Sequence, residues 1–219
     1  GVSWNNISNG RRIMIAWADN WQYRDALPTY PFKGQMSSIR ELYLKKIGNS
    51  FHLRQQPIEE MHVLRKNSRE MHKMNMGAGE EWTLKDHVEA LELELSYPIN
   101  RIHSAIFGIR VVTGQGKQLE ITFSKKEQSC TVDRRNAGIN PHEKFPGKYK
   151  SKLDFSKEFL TLRLLLDVSQ SELFVNEGEL VFSNLIFPED LYQIKLFTEG
   201  GDLEIEKCVI YDLDGEVIS

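Results

Sequence analysis

The segment 90–96, ALELELS, alternates apolar and charged residues without a break. Successive side chains of a strand point to opposite faces, so Leu91, Leu93 and Leu95 line one face and Glu92 and Glu94 the other. Further short apolar or alternating segments follow at 106–112, 119–123, 129–133, 160–167, 172–176, 179–185, 191–198 and 203–211, with a last one at 216–218. Turn signals separate them, among them Thr113-Gly114-Gln115-Gly116, Gly138, Asn140-Pro141, Asn176-Glu177-Gly178 and Gly200-Gly201. Strands this short and this closely spaced predict an all-β fold, a β-sandwich of two antiparallel sheets. Two glutamates on one face can suggest acid/base chemistry. The alternation favours the plainer reading, the solvated outer face of a half-buried strand. A domain of ~160–170 residues buries roughly 70% of its chain surface, so 46–219 is expected to fold as one sandwich domain.

Upstream of the sandwich the pattern changes. Asn5-Asn6 and Asn9-Gly10 are turn signals that pair 1–9 with 11–18 as a hairpin, a unit marginal without a further sheet. Residues 39–47, Gly48-Asn49 and 51–54 read as a second hairpin running to Pro57. Ile58, Met61 and Leu64 then recur at intervals of three, with Glu59 and Glu60 just after the proline. That spacing predicts one short linker helix at about 57–65. Residues 66–82 are polar and carry Met71, Met74 and Met76, which suits a gap-filling surface or a linker better than a soft-metal site.

The densest chemistry lies in 11–44. Ile13–Trp17 is a short apolar run between Gly10 and Asp19-Asn20, and Trp17 and Trp21 stand four apart with Tyr23 close behind. Aromatic rings at a strand end beside a carboxylate and an amide suit a sugar site. The ring face packs on C–H surface and the polar groups bind hydroxyls. By spacing alone, core packing of both tryptophans is the commoner outcome.

SWNN at 3–6, GRRIMIAWADNWQY at 10–23 and PT-x2-F-x-GQMS-x-IREL at 28–42 resemble the closing segment of the catalytic domain of glycoside hydrolase family 32, the β-fructosidases (invertases, levanases, inulinases). FHLRQQPIEEMHVLR at 51–65 is similar to that family's exit from its five-bladed β-propeller. FGIRV at 107–111, VDRRNAG at 132–138 and 162–188 resemble its C-terminal β-sandwich. The resemblance implies that 1–45 is the terminal segment of the propeller and 46–219 the sandwich. It also implies a substrate-lining role for Trp17 at the terminal fructose subsite, with Asp19, Asn20 and Trp21 matching the same motif. The family often has another residue where Asp19 stands.

The family's catalytic carboxylates sit in three upstream motifs, and none of these occurs here. Arg24-Asp25 is followed by Ala26 and lies past the tryptophans, so it is not the family's RDP triplet; Glu206-Lys207-Cys208 is not its Glu-Cys pair. No catalytic residue is therefore assigned. The resemblance implies the C-terminal piece of a fructan- or sucrose-cleaving hydrolase that starts in mid-blade at Gly1 and has the upstream propeller as its partner. The alternative is a non-catalytic lectin-like module that binds fructan through the sandwich, or one that dimerises through a sandwich face.

Other partners are disfavoured. Net charge is −3 with no basic block, which argues against nucleic acid. No apolar run approaches the roughly 20 residues of a membrane span. There is no HExxH pattern, His62 and His72 have no metal spacing, and the Gly114-x-Gly116 turn lacks a following helix. No metal and no cofactor are therefore expected. Cys130 and Cys208 are expected as reduced buried thiols, which leaves the compartment open, secretion being favoured over the cytoplasm.

Overall fold

The computed structural model describes residues 1–4 and 6–214. Its strands, in chain order, begin with β1 (Val2–Ser3), β2 (Arg12–Ile15), β3 (Arg40–Ile47) and β4 (Ser50–Pro57). These make a four-stranded antiparallel sheet in sequential order. Both expected hairpins are present. Asn9 and Gly10 adopt positive φ in the first connection, and Gly48 does so in the second. The sheet runs on to Pro57, beyond residue 45.

The strands after it are β5 (Arg65–Met76), β6 (Glu81–Val88), β7 (Leu91–Pro98), β8 (Ile106–Gly114), β9 (Lys117–Ser124), β10 (Ser129–Asp133), β11 (Lys148–Lys152), β12 (Phe159–Asp167), β13 (Gln170–Val175), β14 (Leu180–Leu185), β15 (Tyr192–Glu199) and β16 (Leu203–Leu213). They form two six-stranded antiparallel sheets, ordered β14-β13-β12-β7-β16-β5 and β11-β10-β9-β8-β15-β6. This is the expected sandwich. The strand anticipated at 216–218 lies outside the described residues.

The alternation at 90–96 does what period two demands. Leu91, Leu93 and Leu95 stand opposite Leu166, Leu164 and Leu162 of β12, and all six are buried. From the facing sheet come Phe107, Ile109 and Val111 of β8, Leu119, Ile121 and Phe123 of β9, and Ile194 and Leu196 of β15. Tyr97 meets Phe107 edge-on at 5.2 Å across the interface, and Phe107 stacks on Phe123 at 5.5 Å. Each such fully buried side chain contributes about 1.5–3 kcal/mol over leaving it exposed, which makes this layer the main source of cohesion. Cys130 and Cys208 are buried here as free thiols, as expected. Burial pushes Cys208 up to about 12, so its reactive thiolate is suppressed at neutral pH.

Three sequence expectations are corrected. The linker helix is a 3-10 helix, Glu59–Leu64, and the interval of three among Ile58, Met61 and Leu64 is in fact the 3-10 period. Residues 66–76 are no linker but the edge strand β5, paired to β16; Met71 and Met74 pack against the core and Met76 is buried in it. Glu92 does not sit on a solvated face. It is 1% exposed and held by Arg65 (2.5 Å) and by the Arg163 guanidinium.

The upstream sheet packs on this same outer face, along β13 and β14, and the seam so formed is polar. Glu172 on β13, also 1% exposed, accepts from Arg40 Nη2 at 2.7 Å, from the Ser38 backbone N–H at 3.1 Å and from Gln170 at 3.0 Å. The Ser38 hydroxyl donates to it as well. Arg54 pairs with Glu179 at 3.0 Å, and Lys45 with Glu177 at 2.9 Å. At Gly178 the strands approach so closely that a Cβ would lie 1.8 Å from the Gln55 carbonyl oxygen, so only glycine fits the turn there.

Candidate functional site

β2 ends at Ile15, and the chain then zips against 35–37. Ser37 N–H donates to Ala16 O at 2.7 Å, Ala18 N–H to Gln35 O at 2.9 Å, and Trp17 forms an isolated antiparallel bridge with Met36. This places Trp17 at the strand end, its indole half-buried.

The next residues form a turn capped by its own side chains. Asp19 Oδ1 accepts from the Asn20 N–H at 2.7 Å, and Asn20 Oδ1 accepts from the Gln22 N–H at 2.9 Å. The Asn20 carbonyl receives the Tyr23 and Arg24 N–H groups at 3.2 and 3.0 Å, leading into the 3-10 helix Arg24–Ala26. Such side-chain-to-backbone bonds are why Asp and Asn favour turns. They engage the Asn20 carbonyl oxygen and leave its amide NH2 as the group available to a ligand.

The turn carries Trp21 back to Trp17, with ring centroids 4.9 Å apart at 56°. Trp21 is 77% exposed, and the Arg24 guanidinium lies 4.9 Å from its ring centre. Gly34 completes the wall. At φ +86°, it comes so close that a Cβ would stand 2.7 Å from Trp17 Nε1 and 3.2 Å from Asp19 Oδ2. An indole N–H, a carboxylate oxygen and an indole face therefore converge on one small region. Asp19 Oδ2 is buried there without a hydrogen-bond partner, and burial pushes this carboxyl above its ordinary range, the Asn20 N–H and Arg24 opposing. A hydroxyl donor would satisfy that oxygen. Aromatic surface with paired donor and acceptor is the chemistry a sugar requires.

Of the four residues singled out from the sequence, Trp17 thus stands at the strand end and Asp19, Asn20 and Trp21 in the turn that follows it. Gly34, within GQMS, was not foreseen at this place, and Tyr23, noted beside the tryptophans in the sequence, is buried behind the turn. Arg24 and Asp25 bond each other at 2.9–3.0 Å as an exposed neighbouring pair. Trp82 is half-buried and packs against the sandwich core. Among the described residues no group of His, Cys, Asp and Glu could hold a metal ion, and no helix is long and apolar enough to cross a membrane.

The two parts of this architecture match two halves of one description. Residues 2–57 match the N-terminal domain of glycosyl hydrolases family 32, and residues 53–212 match the family's C-terminal domain. The chain therefore belongs to glycosyl hydrolase family 32. It is 30% identical to a levanase of Bacillus sp. (strain L7) over 97% of this chain and 24% of the relative. It is 26% identical to a levanase of Bacillus subtilis over 97% of this chain and 32% of that relative. The chain thus spans about a quarter to a third of these relatives' length. Among solved structures, the exo-inulinase of Aspergillus awamori aligns with a TM-score of 0.82 at 26% identity, over 97% of this chain and 42% of that one. The β-fructofuranosidase of Schwanniomyces occidentalis shares the fold, with a TM-score of 0.81 at 18% identity over 97% of this chain and 46% of that one.

Proposed function

We propose that this chain is the C-terminal part of a β-fructosidase that hydrolyses fructan or sucrose. In this reading the sandwich braces the last propeller strands, and Trp17 lines the fructose site. The observation that carries it is the convergence of Trp17 Nε1, Asp19 Oδ2 and Gly34 within a stretch that matches the family's N-terminal domain. The names of the relatives, levanases and an exo-inulinase, supply the substrate class. Trp17 offers its ring face to fructose C–H surface and its N–H to a hydroxyl. Asp19 accepts from a hydroxyl, while Asn20 and Trp21 close the rim. A retaining glycosidase needs two carboxylates about 5 Å apart, and this reading assigns both to the upstream propeller. An exposed apolar ribbon on the upstream sheet, Leu44 and its cross-strand partner Leu53 with Phe51 beside them, is a fitting surface for that propeller.

Kinetics test both halves of the reading. In the longer enzyme, Trp17→Ala should cost about 2–4 kcal/mol of transition-state stabilisation, seen as a fall in kcat/KM. The 219-residue chain alone should release no fructose from sucrose, levan or inulin. Unchanged kcat/KM would return Trp17 to a packing role. Fructose release by this chain that disappears on mutating one of its own carboxylates would overturn the assignment of catalysis upstream.

A further inference from the structure

One buried cation links the sandwich to the tryptophan turn. Arg134 follows β10, within VDRRNAG, and is 4% exposed. Its Nη1 donates to Leu185 O at 3.0 Å, and its Nη2 to Tyr149 Oη at 3.2 Å and, more loosely, to Tyr23 Oη at 3.4 Å. The guanidinium lies 4.1 Å from the Phe145 ring centre and 5.8 Å from those of Tyr23 and Tyr149. Tyr23 meets Phe145 edge-on at 5.2 Å, and Phe145 meets Phe187 at 5.4 Å. With Leu27 and Leu185 these rings form a second apolar cluster, apart from the core between the sheets.

No carboxylate pairs with Arg134 among the described ion pairs, and its Nε has no partner. Burying a guanidinium on such terms is costly, and an apolar side chain would fill the space more cheaply. What the guanidinium adds is direction: two hydroxyls, a carbonyl and three ring faces are oriented around one planar group. Among them is Tyr23, whose N–H is bonded to the Asn20 carbonyl and whose turn carries Trp21.

We propose that Arg134 is a positioning residue for the sugar site. By clamping Tyr23 from the sandwich side, it fixes the Asn20–Arg24 turn and so holds Trp21 against Trp17. The sandwich then sets the geometry of the substrate wall as well as bracing it. The clamp stands on its own geometry, and its link to sugar binding rests on the function proposed above.

The paired indoles provide a readout that general stability does not move, because two tryptophan rings this close give an exciton couplet in far-ultraviolet circular dichroism. In the 219-residue chain, Arg134→Met should weaken the couplet by about twofold and speed amide exchange at Tyr23, Arg24, Ala26 and Leu27 by about tenfold. Arg134→Lys should restore part of both. Tyr23→Leu, which leaves the sandwich strands untouched, should produce the same loosening and carries the test if Arg134→Met fails to fold. Arg110→Met, on β8 and in contact with none of these rings, should change neither signal. Folded Arg134→Met and Tyr23→Leu chains with unchanged couplet and exchange overturn the proposal. In the longer enzyme, both variants should raise KM by about tenfold and change kcat less. A lost couplet with unchanged kinetics would keep the clamp but overturn its role at the sugar site, while Trp17→Ala separately tests the site itself.

Discussion

The outer faces of the two sandwich sheets are built from the same residue types and behave differently. On the sheet of β8 and β15, Arg110 reaches Glu81, Glu120 and Glu199 at 2.7, 3.0 and 3.2 Å and covers Phe197 with its guanidinium. Those three carboxylate side chains are 36, 33 and 56% exposed, so water screens the network. On the sheet of β7 and β13, Glu92 and Glu172 are buried, Glu92 against Arg65 and Arg163 and Glu172 against Arg40 of the upstream sheet. Buried to that depth, each charge depends on its partner, and removing one strands the other. The lesson is one of division. The apolar layer between the sheets supplies cohesion, whereas the covered charged face specifies how the upstream sheet sits.

The largest expected effect comes from breaking the covered face. Glu172→Ala leaves Arg40 buried and uncompensated and deprives Ser38 and Gln170 of their acceptor, so urea unfolding should show a loss of about 3–5 kcal/mol. The double variant Arg40→Met/Glu172→Leu should recover most of it. A single-variant loss under about 1 kcal/mol would mean that the seam is as wet as the opposite face.

Acid should loosen the same seam next. Burial pushes Glu92 up, but the Arg65 bonds and the Arg163 charge outweigh it and hold the carboxyl below its ordinary range; Glu179, bonded by Lys157 and Arg54, is lowered on the same balance. A carboxyl whose folded pKa is depressed adds stability above its unfolded value, about 4.3 for glutamate, and loses it as pH falls through the folded value. Amide exchange at Gln55, whose N–H bonds Gly178 O beside Glu179, should therefore rise as pH falls below about 4.3 before that of Leu93 in the core. Core amides opening first, or together with the seam, would contradict the division drawn above.

The smallest effect belongs to the exposed network. Arg110→Met should cost only about 0–1 kcal/mol, since three screened partners remain hydrated when the cation leaves. A loss near that of Glu172→Ala would erase the contrast between the two faces.

Much of this was legible in the chain, for physical reasons that also explain the gaps. Strands with one face in the core announce themselves through alternation, as at 90–96 and 119–123. β5, β6 and β11 do not: β5 and β6 lie at sheet edges, and so does β11, whose KYKSK carries the lysines that blunt an edge. Trp17, Asp19, Asn20 and Trp21 are neighbours in sequence, and a strand end and the turn after it bring them together. Arg134 could not be found this way, because it reaches Tyr23 across 111 positions.

The sequence by itself determined most of the core strands, which of their apolar side chains face inward, and that two tryptophans, a carboxylate and an amide lie within a few residues of one another. These follow from period-two geometry and local turn chemistry, which are written within a few residues. Only the tertiary structure decided that Glu92 and Glu172 are buried and that Asp19 Oδ2 is left unpartnered behind Gly34. It alone also decided that a sandwich arginine grips the tryptophan turn. The reason is desolvation. Alternation tells which face of a strand a glutamate occupies, but its exposure to water depends on what lies over that face, and here the cover comes from Arg40, 132 positions away from Glu172.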